Sequence, residues 1–145
     1  GVTNDPGEPI GMVETDEFAR VMLTNVLGPM RAVEWLADRV ADDGTIAVMS
    51  SNMASVTLNE AGSWEVYRAS KAALNMAMRC YAVRGGHGGR TFLAVSPGWV
   101  RTDMGGGGAP LDVATSVRGI ADTIERRRAM AGFFYVDYQN RDLPW

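Results

Sequence analysis

Lysine is almost missing from this 145-residue chain: of its fourteen basic residues only Lys71 is not an arginine. Cysteine and histidine are equally scarce, one each, Cys80 and His87. A lone cysteine cannot close an internal disulfide, which points to a reducing compartment and makes the cytoplasm the expected location. His87 stands in a glycine stretch with no Cys or carboxylate beside it, which argues against a histidine-based metal site or a Ser-His-Asp triad. No apolar run approaches the roughly 18 residues of a membrane span, and no charged-then-apolar leader opens the chain. The formal net charge of −3 leaves no basic excess for sequence-blind nucleic-acid binding. With 46% hydrophobic and 21% charged residues the composition is that of a globular chain, neither disordered nor fibrous. The 17 glycines gather mainly in two loops, and the first residue is Gly1 rather than methionine.

Hydrophobic periodicity organises what remains. Residues 1–13 carry turn formers without a sustained period and read as loop. Phe18, Val21, Met22, Val26, Met30, Val33, Leu36 and Val40 recur three to five apart, predicting a helix over about 16–40 with Thr15 as its N-cap. Thr45–Met49 and Thr91–Val95 are short apolar runs expected to be strands buried on both faces. Between them lie a loop (52–64), a helix over 64–83 capped by Ser63, and the glycine-rich link 84–90. That helix places Tyr67, Ser70, Lys71, Leu74, Met78 and Tyr81 near one side. A third helix (112–128) and a strand at Gly132–Val136 complete the pattern. Alternating strands and helices predict an α/β fold with a parallel sheet of three strands, covered by helices, in one partial domain over residues 1–145. A sheet this narrow resembles half of a doubly wound one, and the edge at 45–49 is expected to drive aggregation or dimerisation.

Several residues have chemistry that the pattern places well. Tyr67 and Lys71 stand at i and i+4 of a helix, neighbours on its surface. A phenol is a poor acid or base at neutral pH, and a nearby ammonium favours its ionised form. The alternative is a surface tyrosine beside a solvated lysine, but the chain uses arginine everywhere else for positive charge. Ser51 lies just past a strand's carboxyl end, where open α/β sheets bind ligands, with Ser50, Ser55 and Ser63 as competitors. Pro29 has no N–H, so the carbonyl of Asn25 loses its helical partner, leaving either an acceptor for water or a bent helix. Ser96-Pro97-Gly98-Trp99-Val100-Arg101-Thr102-Asp103 turns sharply after the second strand. Gly105–Gly108 lack the strand-to-helix setting and trailing lysine of a phosphate loop and read as mobile. Cys80 reads as a packed thiol, the methionines as core filler, and Arg126–Arg128 as a solvated helix end.

Taken in order, Asn25 in TNVLG, Ser51 in VMSS, YRASK at 67–71 and SPGWVRTDMGG from Ser96 resemble the short-chain dehydrogenase/reductase family. The tail from Ala109-Pro110-Leu111 through FFYVDY to Leu143-Pro144-Trp145 is similar to its C-factor and carbonyl-reductase branch. The resemblance implies a Rossmann-type fold and hydride transfer between NADP or NAD and a small carbonyl or alcohol substrate. It implies catalytic roles for Asn25, Ser51, Tyr67 and Lys71: Tyr67 moves the proton, Lys71 lowers its pKa and bonds the nicotinamide ribose, Ser51 orients the carbonyl, and the Asn25 main chain holds a relay water. Tyr67, Lys71, Pro97, Gly98, Val100 and Thr102 would contact the cofactor. The family's opening glycine-rich turn is not in this sequence, so the expectation is a carboxyl-terminal half whose isolated chain binds no cofactor usefully and is inactive, the full-length protein being a homo-oligomer. The rivals are a non-catalytic truncated dimerisation or interaction module, and an enzyme that epimerises or dehydrates nucleotide sugars with the same Tyr-Lys pair.

Overall fold

Three parallel strands order the molecule: β1 (Thr45–Met49), β2 (Thr91–Ser96) and β3 (Gly132–Asp137) pair side by side in the order β1-β2-β3. The register sets Thr45 against Thr91 and Thr91 against Gly132. This is a computed structural model, and it describes residues 1–84 and 88–145; the centre of the expected glycine link, His87 included, lies outside the described residues. The helices are α1 (Thr15–Met22), α2 (Gly28–Leu36), α3 (Glu65–Val83) and α4 (Val113–Arg127). The expected α/β architecture and every expected strand are present.

Residues on β2 alternate between two cores. Phe92 and Ala94 face Ile46, Val48 and Tyr135, covered by Val33 and Ala37 from α2 and its end and by Leu74, Met78 and Tyr81 from α3. Leu93 and Val95 face the other way with Val136, beneath Ile120 and Ile124 of α4. Helices therefore cover both faces, and each fully buried aliphatic side chain of this kind contributes about 1.5–3 kcal/mol. β1 departs from the expected double burial. Ile46 and Val48 are buried, but Ala47 and Met49, on the opposite face of the strand, are exposed.

The first expected helix is broken by a π-helical turn at Leu23–Leu27, where the Gly28 N–H reaches back to the Leu23 carbonyl. Pro29, unable to donate, follows immediately, so the predicted disturbance of the ladder takes the form of a bulge. Glu14, not Thr15, is the N-cap of α1, and its side chain makes no capping bond. Ser63 does not cap α3 either. Trp64 does, in the left-handed conformation (φ 64°), and Ser63 instead offers its carbonyl to Arg68 Nε at 2.7 Å. Asp112 caps α4, accepting from the Thr115 N–H at 2.7 Å. The loop 52–64 begins with a 3-10 turn, Asn52–Ala54.

Some side chains lie where the sequence did not put them. Cys80 is exposed, on the face of α3 opposite Leu74, Met78 and Tyr81. Arg127 is buried, gripping Asn140 at 2.6 Å and Asp142 at 3.0 Å, so only Arg126 and Arg128 are solvated. Met78 is core, whereas Met12, Met76 and Met130 are exposed. The 98–111 loop is tied down: Arg101 N–H donates to the Leu111 carbonyl at 2.8 Å, and a Cβ on Gly105 would fall 1.9 Å from the Val100 carbonyl.

Candidate active site

The carboxyl ends of β1 and β2 meet α3 at a cleft of about 580 Å³ that includes Ser51, Tyr67, Pro97, Gly98, Val100 and Thr102 in its lining. Parallel topology forces this convergence, since each chain leaves its strand at the same edge of the sheet. Ser51 is buried and extended (φ −161°, ψ 149°), its hydroxyl accepting from the Met53 N–H at 3.1 Å. Loop and sheet are joined around it. Ser50 N–H donates to the Val95 carbonyl at 2.8 Å, Ser50 Oγ to Asn75 Oδ1 at 2.6 Å, and Asn52 N–H to Ser96 Oγ at 2.9 Å. Tyr135 closes the network from β3, its hydroxyl donating to the Ser51 carbonyl. Of the competing serines, Ser50 is buried with its hydroxyl on the Asn75 side chain, Ser55 is buried accepting from the Leu58 N–H, and Ser63 lies out of the cleft; Ser51 alone of the four lines it.

Tyr67 and Lys71 come together as the helical spacing requires, with Lys71 Nζ 5.8 Å from the phenol ring centroid. Lys71 is 4% exposed and donates to the Met49 carbonyl at 2.9 Å, tying α3 to the end of β1. The Asn25 side chain brackets the Val2 backbone, accepting from its N–H at 2.8 Å and donating to its carbonyl at 2.7 Å. It also donates to Ser70 Oγ at 3.0 Å, and Ser70 Oγ to the Tyr67 carbonyl at 2.8 Å. Gly1 packs against the pair: a Cβ there would stand 2.8 Å from Asn25 Oδ1 and 3.2 Å from Lys71 Nζ. Asn25 and Lys71 line an adjoining groove of about 360 Å³ and Tyr67 the main cleft, with Met49 shared between the two.

Electrostatics differ from the simple pairing of phenol with ammonium. Burial pushes the Tyr67 phenol above its ordinary value, and the Ser51 hydroxyl opposes that rise. Burial also lowers the Lys71 ammonium. Lys71 Nζ is turned to the Met49 carbonyl, and desolvation is the largest influence on both groups.

Other residues of the site were not foreseen. Trp64 stands edge-on to Tyr67 with ring centroids 5.8 Å apart, and Trp99, Met104, Val113 and Val117 complete the wall. Val113, Val117 and Ile120 follow one another at helical spacing; Ile120 touches the core, while the two valines are exposed in the cleft.

A family model described as enoyl-(acyl carrier protein) reductase matches residues 1–130. Over 138 residues the chain is 35% identical to the C-signal protein of Myxococcus xanthus, covering 94% of this chain and 83% of that one. A short-chain dehydrogenase/reductase from Burkholderia multivorans, crystallised with bound NADP, superposes with a TM-score of 0.96 at 46% identity over 100% of this chain and 63% of its own. A carbonyl reductase from Pseudomonas aeruginosa PAO1 in complex with NADP gives 0.85 at 36%, over 99% of this chain and 64% of its own. The chain belongs to the short-chain dehydrogenase/reductase family. It spans somewhat less than two thirds of the length of these solved neighbours.

Proposed function

We propose that the protein is a nicotinamide-dependent oxidoreductase interconverting a carbonyl compound and its alcohol, with Ser51 and Tyr67 as the groups that meet the substrate oxygen. The observation that carries this reading is the shared cleft at the strand ends, which Ser51 and Tyr67 line together while Lys71 and Asn25 stand directly behind Tyr67.

The residues present suit a nicotinamide cofactor of the kind the Burkholderia and Pseudomonas neighbours hold. The donor set is a buried ammonium, two hydroxyls and a tight turn at Gly98, whose φ of 79° favours glycine. Lys71, Thr102 and the backbone of Pro97–Val100 would hold it. When bound, NADP or NAD supplies or accepts the hydride at the carbonyl carbon. In reduction, Tyr67 gives its proton to the carbonyl oxygen as electron density reaches it, so ketone plus hydride plus proton yields alcohol. Ser51 donates to the same oxygen and stabilises its developing charge. A phenol held above its ordinary value by burial is protonated at neutral pH and ready to act as the acid. Lys71 is a compact cation that can bond hydroxyls, which an arginine's planar fork would do with different geometry. Asn25 supports the helical turn that carries Tyr67 through Ser70, whose hydroxyl bonds the Tyr67 carbonyl.

The test is nucleotide-dependent reduction of a carbonyl panel by the natural full-length protein, beside Tyr67→Phe. Turnover that survives this substitution undiminished refutes the assignment. The 145-residue chain alone is expected to show no useful affinity when titrated with NADPH and followed by nucleotide fluorescence.

A further inference from the structure

The cleft facing Ser51 and Tyr67 is walled largely by carbon. Trp99, Met104, Val113 and Val117 all line it, and the fold leaves them 60, 38, 51 and 56% exposed. Exposed apolar side chains scattered singly need no explanation, but these converge on one concavity. The polar groups of the wall are occupied elsewhere. Trp99 Nε1 donates to the Gly105 carbonyl at 2.8 Å and Ser116 Oγ to the Pro97 carbonyl at 2.7 Å, and Thr102 is the hydroxyl assigned above to the cofactor. Among the described residues, no Asp, Glu, Lys or Arg lines the cleft. Beyond the Asn52 side chain, the polar groups left to meet a substrate atom are the Tyr67 hydroxyl and the Ser51 hydroxyl, which accepts from the Met53 N–H and gives only a long 3.5 Å contact to Asn52 Oδ1.

Resting on the oxidoreductase reading of those two hydroxyls, we propose that the substrate is an uncharged ketone or secondary alcohol carrying a bulky ring. Its oxygen lies toward Ser51 and Tyr67 and its ring against Trp99, Val113 and Val117. A carboxylate or phosphate in this cleft would lose water and find no counter-charge, and a polyol would lose the hydration of several hydroxyls for at most one new bond each. An apolar ring loses nothing of the kind, and a volume near 580 Å³ lies in the range that holds compounds of fused-ring size together with part of a cofactor. Trp64 adds a second aromatic wall. It is held at φ 64°, a strained setting for a bulky residue that persists only where its surroundings fix it, as ligand sites do.

The experiment uses the natural full-length protein and three probes: α-tetralone, dihydroxyacetone and acetoacetate. Isothermal titration calorimetry should show α-tetralone binding about tenfold or more tightly than either of the others. Val117→Asp, at an exposed helix position that tolerates charge, and Trp99→Ala should each weaken α-tetralone about tenfold, while Trp99→Phe retains most of the affinity. Nicotinamide absorbance should give the same order in kcat/KM. Equal or tighter binding of acetoacetate or dihydroxyacetone, or indifference of α-tetralone to Val117→Asp, overturns the assignment. Binding of α-tetralone that Val117→Asp abolishes, without turnover of any carbonyl by NADPH or NADH, upholds the ring site and sinks the oxidoreductase reading instead.

Discussion

Tyr135, in the middle of β3, donates its hydroxyl to the carbonyl oxygen of Ser51 across 2.5 Å, joining the far edge of the sheet to the loop that carries the site serine. Both residues are largely buried, which limits the water available to the carbonyl as a substitute partner. Tyr135→Phe keeps the ring packing and removes only the donor. It should cost about 1–3 kcal/mol of stability, the penalty for a buried acceptor left unpaired. Urea denaturation measures this as a lowered midpoint at unchanged slope. In the full-length protein kcat should fall with it while cofactor affinity holds, because the Ser51 hydroxyl loses its fixed bearing.

Replacing the site residues separates their roles. On the proposed reading Tyr67→Phe removes the one phenol lining the cleft among the described residues, and kcat should drop by about 10²–10⁴, the usual contribution of general acid-base catalysis. On the same reading Ser51→Ala removes the proposed donor to the developing oxyanion and should cost about 10²–10³. Steady-state kinetics with nucleotide titrations alongside would show kcat falling and nucleotide Kd nearly unchanged in both variants.

Burial acts oppositely on the two ionisable groups, and their pH signatures differ in sign. Tyr67 is raised above 10.0, so its phenol is stabilising below pH 10.0 and this contribution is lost as pH rises through the folded value. Lys71 is lowered below 10.5, so the cost of its buried charge is full below the folded value and disappears by pH 10.5. Relative to Lys71→Met, the wild-type chain should therefore gain stability as pH rises from neutral toward 10.5. Paired urea titrations at the two ends of that window check it. Phenolate absorbance, taken as the difference from Tyr67→Phe, should rise above pH 10.0 and later still in Ser51→Ala, which removes the bond opposing the shift.

Periodicity carried the fold well because its signals are local. Thr45–Met49 and Thr91–Val95 are apolar runs of strand length, and β1 and β2 lie on them. The same local signals reached Tyr67, Lys71 and Ser51, whose places follow from helical spacing and a strand end. Burial by neighbours distant in sequence was not legible. Arg127 is buried because the 137–142 turn folds over it, and Cys80 is exposed because α3 shows its other face to the sheet. Val113 and Val117 follow the same 3.6-residue period as core residues, so sequence cannot separate a cleft wall from a core. Tyr135 is one aromatic in FFYVDY until the parallel register sets its hydroxyl under Ser51.

Gly98 tests whether the turn after β2 shapes the cleft. Its φ is 79°, and a Cβ there would come within 2.5 Å of Leu111 Cδ1 and 3.0 Å of Tyr138 Cε1. Gly98→Ala should therefore lose about 1–2 kcal/mol for the left-handed backbone, and about 1–3 kcal/mol more if Leu111 and Tyr138 are displaced. A lowered thermal midpoint and a raised nucleotide KM in the full-length protein would record both effects. A variant as stable as wild type would mean that the turn relaxes to another conformation.

The outer edge of β1 makes a different demand. Among the described residues β1 pairs only with β2, leaving its other edge without a strand partner, and Ala47 and Met49 are exposed beside a groove lined by Pro29, Val33, Leu36 and Ile46. An unpaired apolar edge is a template for another chain. The 145-residue chain should self-associate reversibly, with sedimentation velocity showing a coefficient that climbs with concentration. Ala47→Lys places a charge on that strand at an exposed position, where the fold tolerates it, and should shift the chain toward monomer at the same concentration. Monomer throughout for both chains would mean that the neighbouring groove residues already screen the edge.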